Sequence, residues 1–143
     1  AEAHSPLEDA LGLSYIIHIF YFLNQKDCQS KSDTLFLPEV ILKLQKYIDS
    51  NFSKISSVSQ IAEHFFYSRE YVSRLFKKYF DTTISDYIMK RRIAESQLLL
   101  KKGLPLIEVA YQVGFGSLPT FIRAFRAVAN MTPSAYRKLQ NNI

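Results

Sequence analysis

The chain of 143 residues has no tryptophan, one cysteine, four glycines and five prolines. Cys28 alone cannot form an internal disulfide or a cysteine-rich zinc site, and it fits a reducing cytoplasm. So few glycines and prolines suit helices better than the many turns of a β-sandwich. His4, His18 and His64 lack metal-ligand spacing. The apolar run from Ile16 to Leu23 is interrupted by His18 and falls short of the roughly 20 residues that span a bilayer. No basic-then-apolar leader with a cleavage site is present. There is no glycine-rich phosphate loop and no glycine-flanked serine elbow, and the carboxylates are scattered singly, so catalysis finds no residues to carry it. His64 reads as a helix residue without a catalytic partner. The expectation is therefore no catalytic residue, no metal and no cofactor.

Acidic residues are also missing where they would matter most. None follows Glu108, whereas Arg123, Arg126, Arg137 and Lys138 do. The net charge is +5, divided unevenly: residues 1–36 carry −3 and residues 37–143 carry +8. A positive field segregated in this way favours a polyanionic partner over a merely soluble surface.

What is present is a repeat. Ser68–Phe76 reads SREYVSRLF, and 49 positions later Ser117–Phe125 reads SLPTFIRAF. Thr83-Ile84-Ser85-Asp86-Tyr87 is answered by Thr132-Pro133-Ser134-Ala135-Tyr136 at the same interval. Ile61-Ala62 is answered by Val109-Ala110, one residue out of register, so the second copy carries a one-residue insertion. A duplicated, cationic unit of helix-turn-helix size suggests something read twice, and the DNA major groove returns to the same side once per turn.

Hydrophobic periodicity predicts an all-α chain. A helix over 7–24 is apolar on more than one face and so requires a cover, either other parts of the protein or a second copy of itself. Residues 25–37 read as a linker. Helices follow at 38–51, with Pro38 in the first turn, at 58–65 with Ser57 as cap, and at 69–80 with Ser68 as cap. Asp81 marks the stop. A long helix over 84–102 then ends at Gly103, with Tyr87, Ile88, Ile93, Leu98, Leu99 and Leu100 as its apolar set. Nineteen residues at about 1.5 Å each make a rod of about 28 Å, close to the roughly 34 Å between successive major-groove faces. The second unit runs over 105–113, turns at Gly114-Phe115-Gly116, continues over 118–129 to a stop at Asn130, and closes with a short helix capped by Thr132.

A reading helix needs small or polar residues at its start, apolar residues behind and cations along its flanks. In the first copy Arg69, Glu70, Ser73 and Arg74 share one face. Arg74 can grip guanine O6 and N7 with two hydrogen bonds, and Glu70 can accept from cytosine N4. Lys77 and Lys78, further along, suit phosphates. In the second copy the same face offers Leu118, Pro119, Ile122 and Arg123, with Thr120 beside them. This copy is expected to read bases more weakly, through thymine methyl groups and Arg123, with Arg126 on a phosphate. Lys90-Arg91-Arg92 spreads around its helix, so at most two of the three can face DNA, and the alternative for Arg92 is a structural pairing with a carboxylate. Phe76 and Phe125 read as core.

Ile61-Ala62, Ser68, Arg74-Leu75-Phe76-Lys77, the 92–100 stretch, Val109-Ala110, Val113-Gly114-Phe115, Phe121, Phe125, Pro133 and Tyr136-Arg137 together resemble the AraC/XylS transcription regulators, over about residues 38–140. The resemblance implies about seven helices, forming two helix-turn-helix subdomains joined by the long central helix, with an N-terminal helix appended. It implies a sequence-specific, double-stranded DNA-binding regulator, acting on the nucleoid, that activates transcription by contacting RNA polymerase as many members do. Its base-reading positions fall on Arg69, Glu70, Ser73, Arg74, Leu118, Pro119, Thr120 and Arg123. Ser68, Lys77, Lys78, Ser117 and Arg126 are the expected phosphate contacts. Two departures from the family stand out: Asp81 and Asn130 stand where glycine is frequent, and Leu118-Pro119 stands where polar residues are frequent. Residues 1–24 are similar to the helical tail of a regulatory, dimerising domain, which makes 7–24 the expected homodimer contact. The rival reading is a helical protein-interaction module with an incidental basic surface.

Overall fold

The computed structural model describes residues 38–141. The expected helix at 7–24 and the expected linker at 25–37 lie outside them. Leu37–Ile143 forms a compact unit of its own. Among the described residues there are seven helices and no strand: α1 (Glu39–Asn51), α2 (Val58–His64), α3 (Arg69–Phe80), α4 (Ile84–Lys101), α5 (Leu106–Gln112), α6 (Leu118–Ala129) and α7 (Pro133–Asn141). None of the described helices is long and apolar enough to cross a membrane.

Five of the seven described helices start where a hydroxyl accepts from an unsatisfied N–H group of the first turn, and α1 and α5 start after a proline that makes no side-chain cap bond. The Oγ of Ser57 accepts from the Gln60 N–H at 3.2 Å, and that of Ser68 from the Tyr71 N–H at 3.2 Å. Thr83 Oγ1 accepts from the Asp86 N–H at 3.1 Å and donates to the Asp86 carboxylate at 2.8 Å. Thr132 Oγ1 accepts from the Ala135 N–H at 3.2 Å. Pro38 caps α1 from outside the helix, one residue earlier than the sequence pattern placed it. The stops are equally local. Asp81 and Asn130 take left-handed backbone, with φ of 52° and 56°. Gly103, at φ 83°, closes α4 with two reversed hydrogen bonds: its own N–H to Leu100 O, and the Leu104 N–H to Leu99 O.

The rod α4 packs against α1 and α3 toward its start and against α5, α6 and α7 beyond. Two apolar clusters result. Ile41, Leu44 and Ile48 of α1 meet Ile55, Ile61, Val72, Phe76, Ile84 and Ile88. On the other side Phe115, Phe121, Phe125 and Tyr136 form a chain of edge-on and tilted rings, centroids 5.5–5.7 Å apart. Apolar burial is the main source of stability in such a bundle, about 25 cal/mol per Å².

The apolar set expected for α4 needs correction. Leu98 is 45% exposed, while Ser96 and Gln97 are buried with Ile84, Ile88, Ile93, Ala94 and Leu100. A helix covered by neighbours on several sides buries positions that a single-stripe reading assigns to solvent. Ser96 tolerates this because its Oγ donates to Ile93 O at 2.6 Å. In α3, Val72 and Phe76 are buried, whereas Leu75 and Tyr79 are only partly covered.

Candidate nucleic-acid interface

The repeat is structural as well as textual. In the first unit Phe65 and Phe66 donate their N–H groups to Ile61 O and Glu63 O, and the Tyr67 N–H reaches Ala62 O at 2.9 Å. In the second, Val113 and Gly114 donate to Val109 O and Tyr111 O, and the Phe115 N–H reaches Ala110 O at 2.9 Å. These bonds run at an interval of 48, and the caps Ser68 and Ser117 at 49, so Gly116 is the inserted residue. Phe66 therefore occupies the place of Gly114, and both have positive φ, 58° and 98°. Beyond the reading helices the match resumes: Asp81 N–H to Lys77 O against Asn130 N–H to Arg126 O, both 3.0 Å.

The residues expected to read bases from α3 lie together. Arg69, Glu70, Ser73, Arg74 and Lys77 line one open concavity, together with Val58, Thr83, Ile84 and Ser85. Arg69, Glu70, Arg74 and Lys77 are exposed, and Ser73 is half-buried. Val58, Thr83 and Ser85 were not anticipated here. Thr83 carried a signal in the sequence, since a hydroxyl directly ahead of an apolar helix start is a cap, and it brings the beginning of α4 to the same concavity.

On α6, Pro119, Thr120, Arg123 and Arg126 are exposed, and Leu118 and Ile122 are half-buried. The second face is thus more apolar, with one guanidinium near its start. Ser117 Oγ accepts from the Thr120 N–H at 3.4 Å, and the two hydroxyls lie 2.9 Å apart, so Thr120 is tied into the cap. Ser68 keeps an O–H group able to donate outward, because its cap uses only a lone pair, whereas the Ser117 hydroxyl is shared with that of Thr120. Among the described residues, Arg69, Arg74, Lys77, Arg123 and Arg126 form no ion pair, which leaves their charge available to a polyanion. Lys78 lies 5.4 Å from the centroid of the Tyr79 ring.

The central arginines are structural. Arg92 does not pair with a carboxylate: its Nε donates to Phe52 O at 2.9 Å and its Nη2 to Ile55 O at 2.6 Å, with its guanidinium 5.7 Å from the Phe115 ring centroid. Burial lowers its pKa below the ordinary guanidinium range. The carboxylate partner belongs to Arg91, whose Nε is 3.0 Å from Asp49 Oδ1, the same oxygen that accepts from the Tyr87 hydroxyl at 3.0 Å. Arg137 donates to Leu104 O and so ties α7 to the end of the rod. No group of His, Cys, Asp and Glu among the described residues could hold a metal ion.

Comparison with known proteins gives the same picture. The family described as "Helix-turn-helix domain" matches residues 61–139. The transcriptional activator AarP of Providencia stuartii is 30% identical over 109 residues, 76% of this chain and 81% of AarP. The regulatory protein SoxS of Escherichia coli K12 is 31% identical over 100 residues, 69% of this chain and 94% of SoxS. Among solved structures, the C-terminal domain of AraT, a response regulator from Geobacillus stearothermophilus, superposes with a TM-score of 0.69 at 26% identity, covering 72% of this chain and 87% of that domain.

Proposed function

Because this chain belongs to the AraC/XylS family of helix-turn-helix transcription regulators, we propose that α3 and α6 enter adjacent major grooves of one duplex and read two unlike half-sites about one turn apart. The protein is a DNA-binding transcription regulator, and its relative AarP is named an activator. In this reading Arg69, Glu70, Ser73 and Arg74 meet base edges from α3. Leu118, Pro119, Thr120 and Arg123 do so from α6, with the apolar pair against thymine methyl groups. Ser68, Lys77, Lys78, Ser117 and Arg126 neutralise or bond phosphates and set the register.

One observation supports this most directly: Arg74 and Arg123 occupy the same place in two units with matching caps, turns and stops, and both are exposed and unpaired. An incidental basic surface has no reason to repeat at such an interval. Activation by contact with RNA polymerase, and pairing of two copies through residues 7–24, belong to the same proposal. Selection of bound duplexes from a random pool should return an asymmetric site. Arg74→Ala should then weaken binding to that site by about 1–3 kcal/mol and relax preference at one base pair, as read by anisotropy titration of single-base variants. Uniform weakening across all duplexes would instead make Arg74 a phosphate contact.

A further inference from the structure

The rod alone does not determine how the second reader is rotated about the first, because apolar contacts along a helix are non-directional. A directional contact lies at one point on it. Arg92 sits in the middle of α4, and its side chain touches both units. Nε and Nη2 donate to Phe52 O and Ile55 O, two carbonyls of the loop between α1 and α2. Phe115, over which the guanidinium lies, belongs to the turn before α6. At the same junction the backbone of the two units is in close contact: a Cβ placed on Gly114 would stand 2.3 Å from Ser53 O. With φ at +98°, Gly114 is the residue that permits this approach. A planar fork that engages two carbonyls along its edge and a ring on its face has one orientation, which an ammonium group does not.

Resting on the DNA-reading proposal above, we propose that Arg92 is the positioning residue that locks the second helix-turn-helix to the first, so that the protein accepts one spacing and one phase between its half-sites. Arg92 touches no base in this arrangement. It acts through the loop of the first unit and the turn of the second. Coupling of this kind converts binding of the second reader into an intramolecular event whose strength depends on geometry.

The test uses the full chain and the duplex that the wild type selects, in versions with one to five base pairs inserted between the halves. Two inserted pairs rotate the second half-site by about 70°, and wild type should lose at least about tenfold in affinity. Arg92→Ala should bind the unaltered site with close to half-site affinity and vary less than about threefold across the insertions. Arg92→Lys should behave like Arg92→Ala, because charge without the fork cannot lock the junction. Full rescue by lysine, or unaltered spacing selectivity in Arg92→Ala, would overturn the proposal. A second measurement does not depend on these variants folding. With Cys28→Ser as background, spin labels at Glu63→Cys and Gln112→Cys, both exposed positions, should give one narrow distance distribution that DNA does not change. A broad distribution that narrows only on DNA would also overturn it. If wild type selects no duplex sequence, the DNA reading fails, while the label distances still judge the lock.

Discussion

Phe66 is the residue that departs furthest from local rules. It holds a left-handed φ of 58° at a position where its counterpart is Gly114, and it is 96% exposed. A bulky side chain in that region costs about 1–2 kcal/mol, and exposure returns almost nothing by packing. Phe66→Gly should therefore stabilise the fold by about 0.5–1 kcal/mol in urea unfolding, part of the relief being offset by the greater freedom of glycine in the unfolded chain. A loss of stability would mean that the ring is packed. Tyr136 poses the opposite problem. It is 1% exposed and its hydroxyl has no hydrogen-bond partner among the described residues, and burial raises its pKa above the ordinary 10.0. The neutral phenol is thus favoured in the folded state. This contribution is intact below the unfolded pKa near 10 and is lost as the pH rises through the higher folded value, because the unfolded chain ionises first. Tyr136→Phe should unfold with a shallower loss of stability above about pH 10 than wild type, and with no loss at pH 7.

At the scale of elements, the two turns next to glycines separate backbone strain from crowding. Gly103 has φ +83° and no described atom within 4 Å of where a Cβ would stand, whereas Gly114 has φ +98° and the Ser53 backbone in the way. Gly103→Ala should cost only the left-handed penalty, about 1–2 kcal/mol. Gly114→Ala must in addition push the α1–α2 loop from the turn before α6, and should cost clearly more in the same urea titration. Equal costs would mean that the junction between the units yields easily. The matched hydrogen bonds of the two turns show why the insertion at Gly116 is tolerated: it falls after the last turn bond and before the Ser117 cap, where no pairing is interrupted.

At the scale of the whole molecule the governing quantity is the charge of residues 37–143, +8 against −3 for residues 1–36. Exposed, unpaired cations bind a duplex by releasing counterions, so affinity should fall steeply with salt. Lys77→Ala should weaken binding to all sequences alike and reduce the slope of log K against log salt by about one, measured between 50 and 200 mM. A change in sequence preference would move Lys77 from the phosphates to the bases. The ion pair between Glu39 and Lys43, at 2.6 Å but exposed on both sides, contributes little at any salt concentration.

Most caps, stops and helix boundaries were legible in the sequence because they are set by neighbours in the chain: Ser57, Ser68 and Thr132 bond N–H groups three residues on, and Asp81 and Asn130 need only their own backbone. The repeat was legible for the same reason, and with it the faces bearing Arg74 and Arg123. What covers α4 was not legible. Burial of Ser96 and Gln97, exposure of Leu98, and the exchange of roles between Arg91 and Arg92 depend on which helices surround the rod. Those neighbours come from residues about 40 positions away, such as Asp49, Phe52 and Ile55, and periodicity within one helix carries no information about them. Local hydrogen bonding determined the elements, and packing between distant segments decided which side chains hold the two readers together.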